Sequence, residues 1–228
     1  TPQGGPLSPL LSNILLTDLD RELERRGHRF VRYADDSNIY VKSEHAGQRV
    51  KASITRFLET RLKLRVNQAK SAVAQPWQRK FLGFSCTRTP RPRRKIAPQA
   101  LNRFKQRVAE LTDRNQGRAL GEVIERLALY LRGWRGYFGF CETPSVLRDL
   151  DSWIGHRLRS LVWKQWKRGR RRFAQLVRRG VSRALAAQTA GSPHGPWRLA
   201  KSPALHIALP TAYFAALGLP RLHVSPAA

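Results

Sequence analysis

Apolar residues recur every three or four positions near the start of the chain, which is the spacing of one face of an α-helix. Proline residues precede this stretch and Gly27 follows its last turn, as is typical of helix ends. The pattern predicts a helix from about Ser8 to Arg26. Its apolar positions are Leu7, Leu10, Leu11, Ile14, Leu15, Leu19 and Leu23.

Two short apolar runs follow this helix. Residues 30–33 and 39–42 have the composition of β-strands, and between them lies Ala34-Asp35-Asp36-Ser37. Aspartate is common in turns because its side chain can hydrogen-bond to the nearby backbone. The segment therefore predicts a hairpin with Asp in its turn.

The alternation of helices and strands continues to a boundary rich in Pro and Arg. Apolar positions across residues 50–62 predict a second helix, and residues 64–66 and 80–84 predict two further strands. Pro and Arg then dominate residues 89–95, and this composition marks the best candidate for a domain boundary.

Beyond this boundary the pattern is helical, with three apolar stripes that can bury one another. The first is Leu101, Phe104, Val108 and Leu111, the second Leu120, Val123, Ile124, Leu127, Leu131 and Trp134, and the third Leu147, Leu150, Trp153, Ile154, Leu158 and Leu161. After Trp166 no periodicity is strong enough to predict an element. The fold class predicted for the chain is α+β.

The charge of the chain is high and unevenly distributed. Lys and Arg number 43 against 15 Asp and Glu, which gives a formal net charge of +28. Residues 1–76 have a net charge of +5 and residues 77–228 a net charge of +23, and no acidic residue occurs from Ser152 onward. Such a field attracts polyanions, of which nucleic acid is the abundant one. An anionic membrane surface is the alternative, but the basic stretches lack one long amphipathic stripe.

Several other classes of protein do not fit the sequence. Two cysteines, Cys86 and Cys141, are too few for a disulfide framework, and no clustered Cys/His spacing predicts a zinc site. No apolar run is long enough for a membrane span, and no secretory signal opens the chain. Because the sequence contains no Met and starts at Thr1, we expect a fragment or a processed product and favour a fragment.

The segment Tyr33-Ala34-Asp35-Asp36 is the sharpest candidate for chemistry. Two adjacent carboxylates repel each other, and a fold accepts them mainly where a cation neutralises both. Mg²⁺ prefers oxygen ligands and often binds one or two carboxylates together with substrate phosphates. The alternative interpretation is an ordinary surface turn.

The opening segment, residues 1–13, is a second candidate. Gly4 and Gly5 permit a close approach of the backbone to a ligand because neither has a Cβ atom, and the Gln3 amide can both donate and accept hydrogen bonds. The alternative interpretation is a turn rich in Gly and Pro that leads into the first helix.

These segments together resemble the ordered sequence blocks of reverse transcriptases. The blocks are residues 1–13, 33–36, 64–71 and 81–84. Residues 131–138, which read Leu-Arg-Gly-Trp-Arg-Gly-Tyr-Phe, resemble the maturase signature of group II intron-encoded proteins. The resemblance covers nearly the whole chain in family order.

The resemblance implies a role for each block. Asp35 and Asp36 would be the catalytic, Mg²⁺-binding carboxylates, and the hairpin at residues 81–84 would support the primer end. Lys70 would approach the incoming triphosphate. The residues implied to lie along the nucleotide and template are Gln3, Gly4, Gly5, Tyr33, Ala34 and Lys70.

The resemblance also implies a domain organisation and a set of partners. Residues 1–95 would form a partial palm, an antiparallel sheet with helices, followed by a helical thumb or maturase X region over 96–168 and a basic RNA-binding region over 169–228. The implied partners are group II intron RNA, an RNA template, a DNA primer and dNTPs. Mg²⁺ would be the only cofactor, no membrane would be involved, and the location would be the cytoplasm of a bacterium, in association with RNA or the nucleoid.

A run of basic residues after Trp166 resembles a phosphate-binding patch, with a solvated helix face as the alternative. Trp134, Tyr137 and Phe138 of the maturase signature have a simpler interpretation as core packing of the thumb. The residues expected to contact RNA are Lys167, Arg168, Arg170, Arg171, Arg172, Arg178 and Arg179.

The sequence departs from the family pattern at its start. Family palms have a third metal-binding Asp upstream of the Gln-Gly-Gly block, with the fingers before it, and this sequence contains neither. No HNH-type endonuclease spacing is present. We therefore expect the C-terminal part of an RNA-directed DNA polymerase with maturase activity, inactive as a polymerase by itself. The alternatives are a non-catalytic RNA-binding splicing factor, a degraded relic, and the reverse transcriptase of another element such as a retron.

Overall fold

The computed structural model describes Gly5 and residues 7–224. The chain divides into two compact units, Thr1–Ser85 and Cys86–Ala228. The segment rich in Pro and Arg, residues 89–95, lies within the second unit.

The first unit begins with a helix, a hairpin and a second helix. Both helices and the hairpin were predicted from the sequence, and their bounds are α1 (Ser8–Arg25), β1 (Arg29–Tyr33), β2 (Asp36–Tyr40) and α2 (Glu44–Thr60). After α1, Gly27 adopts a left-handed conformation (φ +70°), and the His28 N–H donates to the Leu23 carbonyl oxygen at 3.0 Å. At the start of α2, the Ser43 hydroxyl oxygen accepts from the Ala46 N–H at 3.2 Å.

The core of the first unit lies between α1, α2 and the hairpin. Leu16, Leu19 and Leu23 of α1 are buried together with Ile54 of α2. The partly buried apolar residues that pack around them are Phe30, Ile39, Val50, Phe57, Leu58, Leu62 and Leu64. The first half of the predicted apolar stripe is not buried, and its exposed members are Leu7, Leu10, Leu11, Ile14 and Leu15.

The prediction of a strand at residues 64–66 is wrong. This segment follows the C-terminus of α2 and is not paired in a sheet. Lys63 takes a left-handed conformation (φ +56°), and the Leu64 N–H donates to the Leu58 carbonyl oxygen of α2 at 2.9 Å. This bond satisfies a helix carbonyl that would otherwise lack a partner. Leu64 nevertheless packs against the core, which explains its apolar character.

The strand predicted at residues 80–84 is replaced by a tight turn. Phe81 and Phe84 exchange backbone hydrogen bonds at 2.8 and 2.9 Å, and Leu82 and Gly83 between them have φ values of +50° and +76°. This is the pattern of a two-residue hairpin turn, in which both central residues need positive φ. A short strand, β3 (Phe84–Cys86), begins at the end of this turn.

The second unit contains the three helices that the apolar stripes predict. They are α3 (Pro98–Leu111), α4 (Leu120–Phe138) and α5 (Pro144–Gln165), and they follow strand β4 (Arg94–Ile96), which pairs with β3 in a two-stranded sheet. All three helices bury apolar and aromatic side chains, and Phe104 of α3 is in ring contact with Trp134 of α4 at 4.3 Å between centroids. The fully buried residues of the three helices include Phe104, Val108, Leu127, Leu131, Leu158 and Trp163.

The basic tail is folded, although its sequence predicts no element. Over its described residues, 169–224, it forms five short helices, α6 (Gly169–Arg178), α7 (Arg183–Ala190), α8 (Pro196–Leu199), α9 (Pro203–Ala208) and α10 (Thr211–Ala216). The Asp151 carboxylate of α5 accepts from the Leu222 and His223 N–H groups at 2.9 and 3.0 Å. These bonds anchor the tail to α5 within the second unit.

In the part of the chain that the structure describes, no helix combines the length and the apolar character that crossing a membrane requires.

Candidate catalytic hairpin and nucleic-acid interface

The hairpin of β1 and β2 has a turn of only two residues, Ala34 and Asp35. Tyr33 pairs directly with Asp36, so β2 begins three residues earlier than the predicted strand at 39–42. Ala34 has a φ of +51°, a left-handed conformation that costs a residue with a Cβ atom on the order of 1 kcal/mol. The turn therefore depends on support from its surroundings.

Arg32 provides that support from β1. Its Nη1 atom donates to the Ala34 carbonyl oxygen and to the Asn13 side-chain oxygen, each at 2.9 Å. Its Nε and Nη2 atoms donate to the two carboxylate oxygens of Asp20 at 2.8 and 2.5 Å. One guanidinium group thus joins the turn to two positions of α1.

The charge of Arg32 is balanced by Asp20 and not by the carboxylates of the hairpin. The Arg32 side chain is 12% exposed and the Asp20 side chain 25% exposed, so water screens this pair only partly. The hydrogen bonds to Asp20 raise the pKa of Arg32 above its ordinary value. Sequence analysis missed this pair, because no sequence spacing connects a strand residue to a helix residue twelve positions earlier.

Asp35 and Asp36 are both exposed, and among the described residues neither carboxylate has a hydrogen bond or an ion pair. Mg²⁺ accepts hard oxygen ligands and commonly binds through one or two carboxylates plus phosphates and water. The pair fits that ion as a donor set. Within the described ranges, Gly5 and 7–224, no cluster of three His, Cys, Asp or Glu residues could hold a metal.

The other residues of the first unit that were predicted to contact nucleotide lie in three places. Tyr33 and Ala34 belong to the hairpin, where the Tyr33 side chain is 63% exposed. Lys70 is exposed on a separate loop, where the Asn67 carbonyl oxygen accepts from its N–H at 3.2 Å. The Gly5 carbonyl oxygen accepts from the Ser8 N–H at the start of α1, and Gln3 and Gly4 lie outside the described residues.

The basic residues predicted to contact RNA divide into exposed and inward-facing groups. Arg172 and Arg179 are half-buried, with their guanidinium carbons 4.7 Å and 5.2 Å from the ring centroids of Trp163 and Trp166. A cation over an aromatic face is held there by the ring quadrupole. The exposed residues are Lys167, Arg168, Arg170, Arg171 and Arg178.

The aromatic residues of the segment at 131–138 are not a single exposed cluster. Trp134 is buried against Phe104, and its ring stacks on Phe138 at 4.8 Å between centroids. Tyr137 is 47% exposed. Core packing therefore accounts for Trp134, as the simpler interpretation predicts.

Comparison with protein-family models gives two matches. Residues 1–86 match the family described as reverse transcriptase (RNA-dependent DNA polymerase). Residues 101–180 match the family described as group II intron, maturase-specific domain. No curated protein gave a significant match to the chain. The two matched regions follow each other along the chain with only residues 87–100 between them.

Proposed function

Because the chain belongs to the group II intron reverse transcriptases/maturases, we propose that it supplies part of an RNA-directed DNA polymerase that also binds its intron RNA and assists splicing. In this proposal residues 1–95 form part of the palm, residues 96–168 the thumb or maturase X region, and residues 169–228 a basic RNA-binding region. The template RNA, the DNA primer and dNTPs are the substrates, and intron RNA is the partner.

The observation that most supports polymerase chemistry is the hairpin with two unpaired carboxylates. Asp35 lies in the two-residue turn and Asp36 begins β2, and both are exposed, while Asp20 neutralises Arg32, the arginine that supports the turn. The carboxylates consequently remain available as oxygen ligands for Mg²⁺. A bound Mg²⁺ ion would neutralise charge on the phosphates of an incoming nucleotide.

The hydrogen bonds of Arg32 give this site the rigidity that positioning requires. Nucleotidyl transfer depends on the placement of the reacting groups, and small displacements of supporting residues lower its rate. The bond from Arg32 to the Ala34 carbonyl oxygen fixes the backbone immediately before Asp35. We assign Arg32 as a positioning residue for the two carboxylates, and Gln3, Gly4, Gly5, Tyr33, Ala34 and Lys70 as contacts of nucleotide and template.

The RNA-binding half of the proposal is supported by the charge of residues 77–228, +23, and by the folded, acid-free tail. Exposed arginines bind phosphate oxygens in pairs through the planar guanidinium group. Five of the predicted contacts, Lys167, Arg168, Arg170, Arg171 and Arg178, are exposed to solvent. They are available for backbone contacts that do not depend on base sequence.

The test is the substitution Asp35→Asn in the full-length gene product, assayed by primer extension on an RNA template with Mg²⁺. The amide preserves the shape of the side chain and removes its negative charge, so DNA synthesis is expected to be abolished while RNA affinity is retained. Asp149→Asn is the matched control, because Asp149 is an exposed Asp on α5. Near-normal DNA synthesis by Asp35→Asn would show that this residue only shapes the turn.

A second candidate function is RNA binding in splicing without polymerisation, which the acid-free folded tail supports independently of the hairpin. Primer extension and splicing assays of the wild type and of Asp35→Asn separate the two functions. DNA synthesis by the wild type supports the first candidate. If the wild type makes no DNA and Asp35→Asn still assists splicing, the second candidate is supported.

A further inference from the structure

A small polar pocket in the second unit lies outside the hairpin and outside the run of basic residues at 167–179. It forms between the end of α3, the loop that follows it, α5 and α8. The residues that line it are Thr112, Arg114, Arg157, Ser160 and Trp197. Two arginines and two hydroxyl groups therefore face one cavity.

Hydroxyl groups and a backbone carbonyl hold the two guanidinium groups in place. The Arg157 Nε atom donates to Thr112 Oγ1 at 2.6 Å, and its Nη2 atom donates to the Ala109 carbonyl oxygen at 3.1 Å. The Arg114 Nη1 atom donates to Ser160 Oγ at 3.2 Å. In the described part of the chain Arg157 Nη1 makes no hydrogen bond, so part of its donor capacity is unused.

The positive charge of this pocket is incompletely balanced. Neither Arg114 nor Arg157 forms an ion pair with a carboxylate of the described residues. Asp113 is the acidic group close enough to favour the charged form of Arg157, yet burial and the charge of Arg114 outweigh it and lower the pKa of Arg157. An anion in the pocket would relieve this repulsion.

An exposed aromatic ring borders the two arginines. Trp197 is 42% exposed, and its ring forms a T-shaped contact with that of His156 at 4.0 Å between centroids. The Arg157 guanidinium carbon lies 6.0 Å from the Trp197 centroid and 5.2 Å from that of Trp153. Proteins that bind single-stranded RNA commonly stack a base on such a ring beside a cation that contacts the phosphate.

We propose that this pocket binds one nucleotide of single-stranded RNA, with its phosphate between Arg114 and Arg157 and its base against Trp197. The proposal extends the RNA-binding part of the proposed function and rests on it. It adds a built site that reads an unpaired nucleotide, in contrast to the exposed arginines of α6, which contact any phosphate backbone. Arg114, Arg157 and Trp197 come from a loop, from α5 and from α8, so the site depends on the fold of the second unit.

The direct test uses uridine 5′-monophosphate as the probe and follows the indole N–H signal of Trp197 by NMR in the full chain. The signal is assigned from its loss in Trp197→Phe. We expect a saturable shift that weakens by about tenfold or more in Arg114→Gln, since charge-assisted hydrogen bonds to phosphate are lost. Arg148→Gln is the matched control, because Arg148 is an exposed arginine on α5 that does not line the pocket. It should bind the probe as the wild type does.

Further arms of the experiment identify the source of the phosphate. The pocket could bind inorganic phosphate or a phosphate of a single-stranded oligouridine, because both are anions of the same kind. Only the nucleotide has a base that can also stack on the ring of Trp197. We expect tighter binding of the oligouridine than of inorganic phosphate, and no shift of Trp197 with blunt double-stranded RNA. No saturable shift with any probe, or equal weakening in Arg114→Gln and Arg148→Gln, would overturn the proposal.

The outcome is separable from that of the proposed function. If Arg114→Gln binds intron RNA as tightly as the wild type and the Trp197 signal does not respond to nucleotides, the pocket is wrong and general RNA binding stands. If the wild-type protein does not bind intron RNA, the proposed function fails, whether or not the pocket binds uridine monophosphate.

Discussion

Arg32 and Asp20 form a two-bond ion pair, at 2.8 and 2.5 Å, that connects strand β1 to the middle of helix α1. The same guanidinium group donates to the carbonyl oxygen of Ala34, one residue before the first carboxylate of the proposed catalytic pair. The position of Asp35 is thereby coupled to the packing of α1. This coupling makes Arg32 testable by both stability and activity.

Arg32→Lys is expected to lower the free energy of unfolding by about 1–2 kcal/mol, because an ammonium group cannot reproduce the paired bonds to Asp20 and the bond to Ala34. In the full-length gene product it should lower kcat for primer extension more than it raises KM for dNTP. Urea unfolding and steady-state kinetics measure the two effects. Arg21→Lys is the control, since Arg21 is 76% exposed and its contact to Asp18 is 3.7 Å long.

Two outcomes would contradict a positioning role for Arg32, and a third would support it. If Arg32→Lys and Asp20→Asn lower stability by independent, additive amounts, the pair is not coupled. If Arg32→Lys lowers stability but leaves kcat unchanged, its role is structural only. A coupled pair with a selective loss of kcat supports the assignment.

The helices and the hairpin were predictable because each depends mainly on local sequence. Leu19 and Leu23 belong to the predicted stripe and are buried, together with Leu16, which the predicted stripe does not include. The same pattern does not predict which residues of the stripe are exposed, since Leu10 and Ile14 belong to it and are exposed. Periodicity indicates which residues share a helix face, while burial depends on which elements cover that face.

The tail and the support of the candidate site were not predictable for a different reason. Helices α8 to α10 are only four to six residues long, too short to show a helical period, and they are stabilised by tertiary packing of residues such as Ala204 and Leu205. The tandem carboxylates Asp35 and Asp36 are visible in the sequence. Their support by Arg32 and Asp20 is a tertiary contact, and nothing in the sequence pattern marks it.

Ala34 provides a second test of the hairpin, through backbone conformation. Its φ of +51° favours Gly and is least compatible with a β-branched side chain. Ala34→Gly is expected to preserve the fold and Ala34→Val to lower the melting temperature. Ala74→Val is the control, because Ala74 is exposed outside any helix or strand and is not left-handed. Equal melting temperatures of Ala34→Val and the control would contradict the positive φ at this turn.

The buried His156 predicts a dependence of stability on pH. Burial, with the charges of Arg159, Lys201 and His206, lowers the pKa of His156 below its ordinary value of 6.5. The unfolded chain binds a proton near pH 6.5, whereas the folded chain stays neutral at this group until a lower pH. The free energy of unfolding should therefore fall as the pH is lowered from above 6.5 through that window.

The measurement for His156 is the urea midpoint between pH 7.5 and about 5.5, above the range where carboxylates titrate. His156→Gln should flatten the fall in the midpoint, whatever its effect on the midpoint at pH 7.5. His45→Gln is the control, since His45 is exposed on α2, and it should keep the wild-type pH dependence. A wild-type slope in His156→Gln would show that other groups cause the effect.

The arginines of α6 should separate into RNA-binding and structural residues. Arg170 and Arg171 are exposed, so the double variant with Gln at both positions is expected to weaken binding to all RNAs and to reduce the slope of log affinity against log salt by about one unit per lost contact. Arg172 lies against Trp163, and its buried Nε has no hydrogen-bond partner within the described residues. Arg172→Gln should instead lower stability by roughly 1 kcal/mol and leave the salt slope unchanged.

Filter binding across a salt series, paired with thermal unfolding of each variant, measures both effects of the α6 substitutions. The comparison is internally matched, because all three residues are arginines on the same turn of one helix and each substitution removes one charge. A general effect of net charge would reduce the salt slope equally for Arg172→Gln and for each exposed arginine. An unchanged slope in the double variant would mean that Arg170 and Arg171 are solvated in the complex, whereas a slope that changes only for the exposed pair locates the RNA backbone on the outer face of α6.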